Sequence, residues 1–194
     1  MVVALALVAT AGWLWLRAEE SRGQTALAGA AEAVQQSDGP AAPAEARQRA
    51  IALLQAVLAQ HGRSAAAAQA AYQLGNLQYQ AGDYAAARAA YEIALAKGAG
   101  GSLRTLSASG VGYTWEAQKN YANAVTAYDT AARGLAPKQF FFEEALLDLA
   151  RAQALAGKPA DARATYERLL KDAPETRRAE DIRGRLAALD PAAK

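Results

Sequence analysis

One ten-residue phrase recurs three times along the chain, at residues 82–91, 119–128 and 157–166. Each copy has a turn-forming pair, then an aromatic residue or proline, an alanine three residues later and a tyrosine four residues after that. The copies start 37 and 38 residues apart, which is within the period of helical repeat arrays. The phrase therefore predicts an all-α solenoid of stacked helical hairpins, a fold that typically holds partners rather than substrates.

The composition favours helices packed at short distance. Of the 194 residues, 53% are hydrophobic, and much of this fraction is alanine, the best helix former. The net charge is only +2, with both signs mixed in the C-terminal half, so no clustered basic face for nucleic acid is present. One histidine and no cysteine exclude disulfides and a multi-residue Cys/His metal site. We therefore expect no cofactor, no metal and no nucleic-acid partner.

Residues 1–16 form an uninterrupted apolar run that ends at Arg17. The run is about one turn shorter than the roughly 20 apolar residues that a spanning helix requires. Trp13 and Trp15 lie beside its charged end, where the aromatic belt of a membrane protein is found. We interpret the run as a membrane anchor.

Two alternatives to the anchor stay open. Residues 9–11 (Ala-Thr-Ala) fit the small-residue pattern of a signal-peptide cleavage site, although no charged segment precedes the run. A buried helix of a soluble fold is the other alternative, but it should show one polar stripe. The charges beside the run do not determine in which direction it would cross a membrane, because no basic residue precedes it. Arg17 taken alone weakly favours a cytoplasmic location for the residues that follow the run.

The remaining chain divides into three segments. Residues 17–62 read as a membrane-proximal helix and a degenerate first repeat unit, with a helix stop at 37–40 and a new helix after Pro43. Residues 63–176 hold three hairpins, and residues 177–194 hold a capping helix and a tail. The hairpins are expected at 68–97, 105–134 and 143–171, with turns at 82–83, 119–120 and 157–159.

The residues around the three phrases resemble the tetratricopeptide repeat. That pattern has a leucine–glycine pair in the first helix, then an alanine, an aromatic residue and an alanine–leucine pair in the second. The resemblance covers residues 68–176 and implies that small residues let the helices approach while the aromatic ring fills the gap between neighbouring hairpins. The matching positions are Leu74, Gly75, Ala87, Tyr91, Ala94 and Leu95; Val111, Gly112, Ala124, Tyr128 and Ala131; and Leu149, Ala150, Ala162, Tyr166, Leu169, Leu170 and Pro174.

The same resemblance implies a protein-binding groove, because the first helix of each hairpin lines the concave surface of such arrays. Asn76 and Arg151 match positions that clamp a terminal carboxylate in some repeats, but Tyr72 and Leu147 stand where lysines would be needed. The alternative for these positions is an ordinary solvated helix surface. The predicted groove residues are Gln69, Tyr72, Asn76, Tyr79, Gln80, Tyr113, Glu116, Glu144, Leu147 and Arg151.

Three consecutive aromatic residues, Phe140, Phe141 and Phe142, begin the third hairpin. They cannot all face inward from one helix, so they predict either packing between hairpins or an apolar patch that binds a partner.

No catalytic constellation can be assembled from the sequence. His61 has no second histidine or cysteine with which to bind a metal, and its place at a helix C-terminus suits a structural role. The glycines of residues 98–101 follow a helix rather than a strand, which excludes a phosphate loop. Glu143 and Glu144 are adjacent on a helix, so their side chains diverge by about 100° and do not form a facing pair of acids. We predict a protein that is not an enzyme.

An apolar helix, a degenerate unit and three repeats also resemble a narrower family, the bitopic ancillary subunits of the SecYEG translocon. The local likeness is the run Gly-Trp-Leu-Trp-Leu-Arg at residues 12–17. The resemblance implies a single-pass inner-membrane protein with periplasmic repeats, acting as an adaptor for an envelope chaperone or the translocon. The alternative is a structural accessory subunit of a large membrane complex.

Overall fold

The computed structural model describes residues 2–37 and 43–189, and within these residues it holds nine α-helices and no strand. The chain forms two compact units, residues 1–99 and 100–194. Part of the expected stop at 37–40, the first residue of the expected anchor and the end of the expected tail lie outside the described residues. The first unit contains α1 (Val2–Gln36), α2 (Ala44–Gln60), α3 (Ala66–Gln80) and α4 (Tyr84–Ala96); the second contains α5 (Gly101–Ala117), α6 (Tyr121–Ala132), α7 (Phe142–Leu155), α8 (Pro159–Asp172) and α9 (Ala179–Ala188).

The first helix, α1, is continuous over 35 residues and joins the apolar run directly to the following segment. Side chains from residue 5 to Arg17 are exposed, including Trp13 and Trp15. Within the described residues, no helix is both long enough and apolar enough to cross a membrane. The spanning anchor expected from the sequence is therefore not supported by the structure, since the apolar side chains stop at Arg17.

The second half of α1 packs into the core of the first unit. Leu27, Ala30 and Ala33 recur at helical spacing and are buried with residues of α2 and α3 such as Leu54 and Leu74. This burial stabilises the part of α1 that follows Arg17 as a helix. The part before Arg17 has exposed side chains and lacks comparable burial.

The turn between α2 and α3 sits against α1. The Glu20 carboxylate accepts a hydrogen bond of 2.8 Å from the backbone N–H of Ala65, at the start of α3, and His61 Nδ1 lies 3.2 Å from a Glu19 oxygen. A methyl group at Gly23 would lie 2.2 Å from the Ser64 hydroxyl oxygen. The missing side chain at Gly23 therefore permits this close approach.

The repeated phrase marks the turn of each hairpin. Its first residue has a positive φ in all three copies, 81° at Gly82, 57° at Lys119 and 73° at Gly157. Asp83 and Asn120 then cap the second helix, because their side chains accept hydrogen bonds from backbone N–H groups of that helix. The third copy begins its second helix with a proline at the first turn instead. The predicted turns are confirmed at all three places.

The tyrosine of the phrase lies against the glycine of the first helix in the same hairpin. A methyl group at Gly112 would lie 2.4 Å from a ring carbon of Tyr128, and one at Gly75 would lie 2.6 Å from the ring of Tyr91. The rings thus replace side-chain volume that the glycines lack. In the second unit the Tyr128 ring also belongs to a core that continues into α7, so it packs both within its hairpin and against the next one.

The core of the second unit is closed by α9. Ile182 is fully buried in the same cluster as Phe142, Leu146 and Leu169, while most other residues of α9 are exposed. A helix that closes the core with Ile182 and exposes charged side chains such as Glu180 and Arg183 is the pattern expected for a cap. The helix α5 begins at Gly101, four residues before the start expected for the second hairpin at residue 105.

Candidate functional site

The predicted groove residues of the first unit lie on one helix, α3, and differ in how free they are to contact a partner. Gln69 and Gln80 are exposed, and Tyr72 is half-buried with its ring 5.9 Å from that of Tyr91. Asn76 is also half-buried, and its side-chain oxygen accepts a hydrogen bond of 2.8 Å from the Tyr91 hydroxyl. Asn76 therefore serves the packing of its own hairpin, a role that the groove prediction did not include.

Tyr79 is the remaining predicted groove residue of α3. It is half-buried, and its ring centroid lies 5.3 Å from that of Tyr84, the first residue of α4. The face of α3 thus presents amide groups at its two ends and aromatic edges between them. Amide hydrogen bonds and rigid aromatic area are suited to contact with a polypeptide.

In the second unit two of the predicted groove residues, Glu116 and Arg151, bind each other. Arg151 of α7 donates two hydrogen bonds to Glu116 of α5, from Nε to Oε1 and from Nη2 to Oε2, both 2.9 Å long. Glu116 also accepts a bond of 2.7 Å from the Tyr128 hydroxyl. A bidentate pair of this kind fixes the guanidinium plane as well as its charge.

A residue absent from the predictions completes this network. Asp148 is buried on α7; one carboxylate oxygen accepts a 2.7 Å bond from Arg151 Nη1 and the other a 2.5 Å bond from the Tyr113 hydroxyl. The network of Tyr113, Glu116, Tyr128, Asp148 and Arg151 therefore joins α5, α6 and α7. An aspartate within an apolar helical stripe is the sequence signal that could have revealed it, because such a residue needs a buried partner.

The electrostatics of the network follow from this geometry. Burial acts to raise the pKa of Glu116, but the bonds from Arg151 and Tyr128 outweigh it, so the net pKa is lowered. Burial dominates at Asp148, so its pKa is raised despite the bonds from Tyr113 and Arg151. The bond to Glu116 is the main reason that the pKa of Arg151 is raised. The network thus stabilises a charged arginine beside two carboxyl groups of unlike acidity.

Both neighbouring tyrosines are held neutral. Burial, followed by the bond to Asp148, raises the pKa of Tyr113, and burial, followed by the bond to Glu116, raises the pKa of Tyr128. Their rings meet edge to face with centroids 5.4 Å apart. These hydroxyls therefore act as hydrogen-bond donors and have no feature of a catalytic base.

Two further groove predictions are changed by the structure. Leu147 is 8% exposed and belongs to the core cluster, because α7 turns this position toward its neighbours rather than outward, so its prediction as a groove residue is wrong. Glu144 is exposed and accepts a 2.6 Å bond from Arg178, in the segment between α8 and α9.

The three consecutive phenylalanines are separated by the structure. Phe142 is 1% exposed within the core, whereas Phe140 is 91% exposed and Phe141 is half-buried. Phe142 is therefore not part of an apolar patch, because it is the first residue of α7 and faces the interior. The patch reduces to Phe140 and Phe141, whose rings meet edge to face at 4.9 Å.

Metal binding has no candidate site in the described part of the chain: no group of three or more His, Asp or Glu side chains there is placed to hold an ion. Glu143 accepts a hydrogen bond from the Thr176 hydroxyl, which gives this carboxylate a structural partner.

Comparison with known proteins identifies the fold and its family. Sequence models of the tetratricopeptide repeat match residues 44–102 and 72–139, and a further one matches residues 144–176. These matches extend over most of the chain and begin at the start of α2, before the first clear phrase. The protein is an all-α helical-hairpin repeat protein. It belongs to the tetratricopeptide repeat family.

Solved structures of three proteins are similar in fold. They are the TPR-like repeats of a putative kinesin light chain from Podosopora anserina (20% identity, 88% of this chain, 85% of that chain, TM-score 0.64), PilF of Pseudomonas aeruginosa (18%, 89% and 69%, TM-score 0.60) and MamA protein (19%, 69% and 67%, TM-score 0.55). At these identities the likeness concerns the fold alone. None of the curated proteins compared with the chain matches it.

Proposed function

We propose that this protein is a non-catalytic scaffold that binds protein partners through the exposed faces of the first helices of its hairpins. The observation that carries the proposal is a contrast between constant and variable positions. The turns recur in all three hairpins and the glycine–tyrosine contact recurs in the first two, whereas one exposed position at the end of the first helix is Gln80, then Ala117, then Leu155. Constant residues build the repeat, so the variable ones are available to select a partner.

The face of α3 is the better candidate for direct contact. Its exposed Gln69 and Gln80 have no role in the core, while Tyr72 and Tyr79 add aromatic area. In the second unit, the guanidinium group of Arg151 is already hydrogen-bonded to Glu116 and Asp148. A partner carboxylate would have to displace those groups, which argues against a carboxylate clamp there.

The proposal also includes attachment of the protein to a membrane or to a membrane complex. The side chains of residues 5–16 are exposed around the whole circumference of α1 and are almost all apolar. A helix that is apolar all round requires an apolar environment. We place this segment against a bilayer surface and the repeats in the periplasm, where they would serve an envelope chaperone or the translocon. A structural subunit of a large membrane complex is a second candidate, favoured by the same exposed segment.

A crosslinked pull-down from solubilised membranes tests the scaffold proposal. The wild type is compared with a variant carrying Gln69→Lys and Gln80→Lys on α3, and with a matched control carrying Gln55→Lys and Gln60→Lys on α2. The wild type and the control should capture the same proteins, and the α3 variant should lose them. Equal capture by the α3 variant would exclude its face as the binding surface.

Two further measurements address attachment and location. Stoichiometric co-purification after detergent extraction would favour the structural subunit over a transient adaptor. Protease treatment of spheroplasts should cleave the repeats if they face the periplasm. Protection of the repeats would overturn the periplasmic assignment, and recovery of the whole chain in the soluble fraction would overturn membrane attachment.

A further inference from the structure

A pocket in the second unit lies apart from the groove residues discussed above. It has a volume of about 440 Å³ and opens between the start of α5 and the segment that joins α6 to α7. We call it the α5 pocket and define it by Gly101, Arg104, Thr105, Arg133, Phe140 and Phe141. No predicted groove residue lines it, and of the predicted aromatic patch it contains the two residues that are not in the core.

Two guanidinium groups give this pocket a positive charge. Within the described residues, Arg104 has no carboxylate within ion-pair distance. Arg133 is paired with Asp129 at 2.5 Å, but both side chains are more than half exposed, so the pair is weak. The positive charge of Arg104 is therefore fully available to a ligand, whereas that of Arg133 is shared with Asp129.

The start of α5 and a hydroxyl group in the pocket add to this preference for an anion. Gly100 precedes α5 without any side-chain cap, so the first N–H groups of this 17-residue helix lack a capping acceptor and carry the positive end of its dipole. Thr105 lines the pocket, is only 5% exposed, and its hydroxyl makes no hydrogen bond with another described residue. A hydroxyl group that no protein group engages is available to donate a hydrogen bond to an anion in the pocket.

The rim of the pocket is apolar. Phe140 is almost completely exposed on the connector, with its ring held edge to face against Phe141. Exposed aromatic area next to guanidinium groups is the composition of binding hot spots, where an aromatic anchor and a charged group act together. The ligand should therefore combine a negative charge with an adjacent apolar group.

We infer that the α5 pocket binds a carboxylate of a partner polypeptide that carries an apolar side chain beside it. We favour a carboxylate over a phosphate, because among the described residues Arg104 carries the one unshared side-chain charge in the pocket, which matches the single negative charge of a carboxylate. The carboxylate can belong to the C-terminus of the partner or to an aspartate or glutamate. This inference rests on the proposal that the chain binds proteins and adds a second, chemically defined site to it.

Defined peptide pools test the inference on the full chain. The pools are N-acetylated hexapeptides with one fixed phenylalanine and otherwise random neutral positions. One pool has a free C-terminal carboxylate, three are amidated and carry aspartate, asparagine or phosphoserine beside the phenylalanine, and a fifth amidated pool lacks all of these. Retention on the immobilised protein is measured by mass spectrometry for the wild type, for Arg104→Gln and Phe140→Ser, and for the matched control Arg177→Gln on an exposed arginine outside the pocket.

The wild type and Arg177→Gln should retain at least one carboxylate pool about tenfold better than the asparagine and neutral amidated pools, since a charge-assisted bond contributes more than about 1.4 kcal/mol. Arg104→Gln should remove most of this preference, and Phe140→Ser should weaken retention several-fold without restoring the neutral pools. Comparison of the free-carboxylate and aspartate pools then identifies the source of the carboxylate.

Three results would overturn the inference: no preference for either carboxylate pool, a preference that survives Arg104→Gln, or stronger retention of the phosphoserine pool. The variant carrying Gln69→Lys and Gln80→Lys should retain the carboxylate pools normally. Failure of the α3 face and failure of the α5 pocket are therefore separate outcomes.

Discussion

Arg151 and Glu116 are joined by two parallel hydrogen bonds of 2.9 Å, although they lie 35 residues apart on α7 and α5. The pair ties the first helices of two successive hairpins to each other through side chains that the sequence places on a binding surface. One Arg151 nitrogen also reaches the buried Asp148. The same groups therefore hold the second unit together and reduce the charge available to a partner.

Replacing Arg151 with methionine should destabilise the second unit, because Glu116 and Asp148 would lose their shared counter-charge. The expected loss in the free energy of unfolding is about 2–3 kcal/mol, below the range for a fully buried pair because Arg151 is partly exposed. Urea denaturation followed by circular dichroism measures it. Arg133→Met, which removes an exposed pair, should change stability by less than about 0.5 kcal/mol. Equal losses in the two variants would refute the special role of Arg151.

The stabilisation by Glu116 should depend on pH. Its folded-state pKa is lowered from the ordinary value of 4.5, so its contribution is present above about pH 4.5 and is lost as the pH falls below that value. The difference in unfolding free energy between wild type and Glu116→Gln should thus be largest near pH 7 and shrink under acid conditions. Urea midpoints measured at several pH values test this; a constant difference would contradict it.

Asp148 should show the opposite sign. Burial raises its folded-state pKa above the ordinary 3.8, so its charged form opposes folding, and its unfavourable contribution is relieved as the pH falls through the folded pKa. In the same titration, the wild type should exceed Asp148→Asn in unfolding free energy by the largest amount at low pH. There the carboxyl group of Asp148 is protonated and still donates or accepts hydrogen bonds. A gap that widens toward neutral pH instead would show that the charged form is favoured in the folded state.

Gly112→Ala should destabilise the second unit although alanine is the better helix former. The new methyl group would lie 2.4 Å from the Tyr128 ring, which is buried and cannot move aside. We expect a loss of about 1–3 kcal/mol from this overpacking, measured by thermal unfolding. Gly184→Ala on α9, where nothing lies within 4 Å, should instead raise stability by up to about 1 kcal/mol.

Gly23→Ala should loosen α1 from the rest of the first unit. Its methyl group would meet both the oxygen and the Cβ of Ser64, at 2.2 and 2.6 Å. Hydrogen exchange of the amides in the second half of α1 should become faster by at least about tenfold, which corresponds to about 1.4 kcal/mol of local stability. Gly29→Ala on the same helix, with open space around it, should leave exchange unchanged or slower.

The hairpins were predictable because their signals are local. A residue with positive φ, a capping side chain and an alanine–tyrosine spacing all lie within ten residues of one another, so Gly82, Asp83 and Tyr91 define a turn and a helix without knowledge of the rest. The phenylalanine run was predictable only in part. The sequence indicates that three consecutive aromatic residues cannot all face inward, but it does not indicate that α7 begins at Phe142 and leaves Phe140 on the connector.

The network and the docking of α1 depend on contacts between distant residues. Asp148 looks unfavourable within its own helix, and only the approach of Tyr113 and Arg151 explains its burial. Leu147 was assigned to a surface by analogy with other repeats, but the local rotation of α7 buries it. Gly23 is unremarkable on α1 until the Ser64 turn is placed beside it. Such pairings require the fold, since no local pattern specifies them.

The continuity of α1 has a mechanical consequence. Its exposed apolar end and its packed half are one uninterrupted helix, and about 16 Å of helix separates Leu16 from Leu27. A continuous helix of this length is rigid, so its apolar end does not move independently of its packed half. Whatever surface receives the apolar end would therefore impose an angle, as well as a distance, on the hairpins of the first unit.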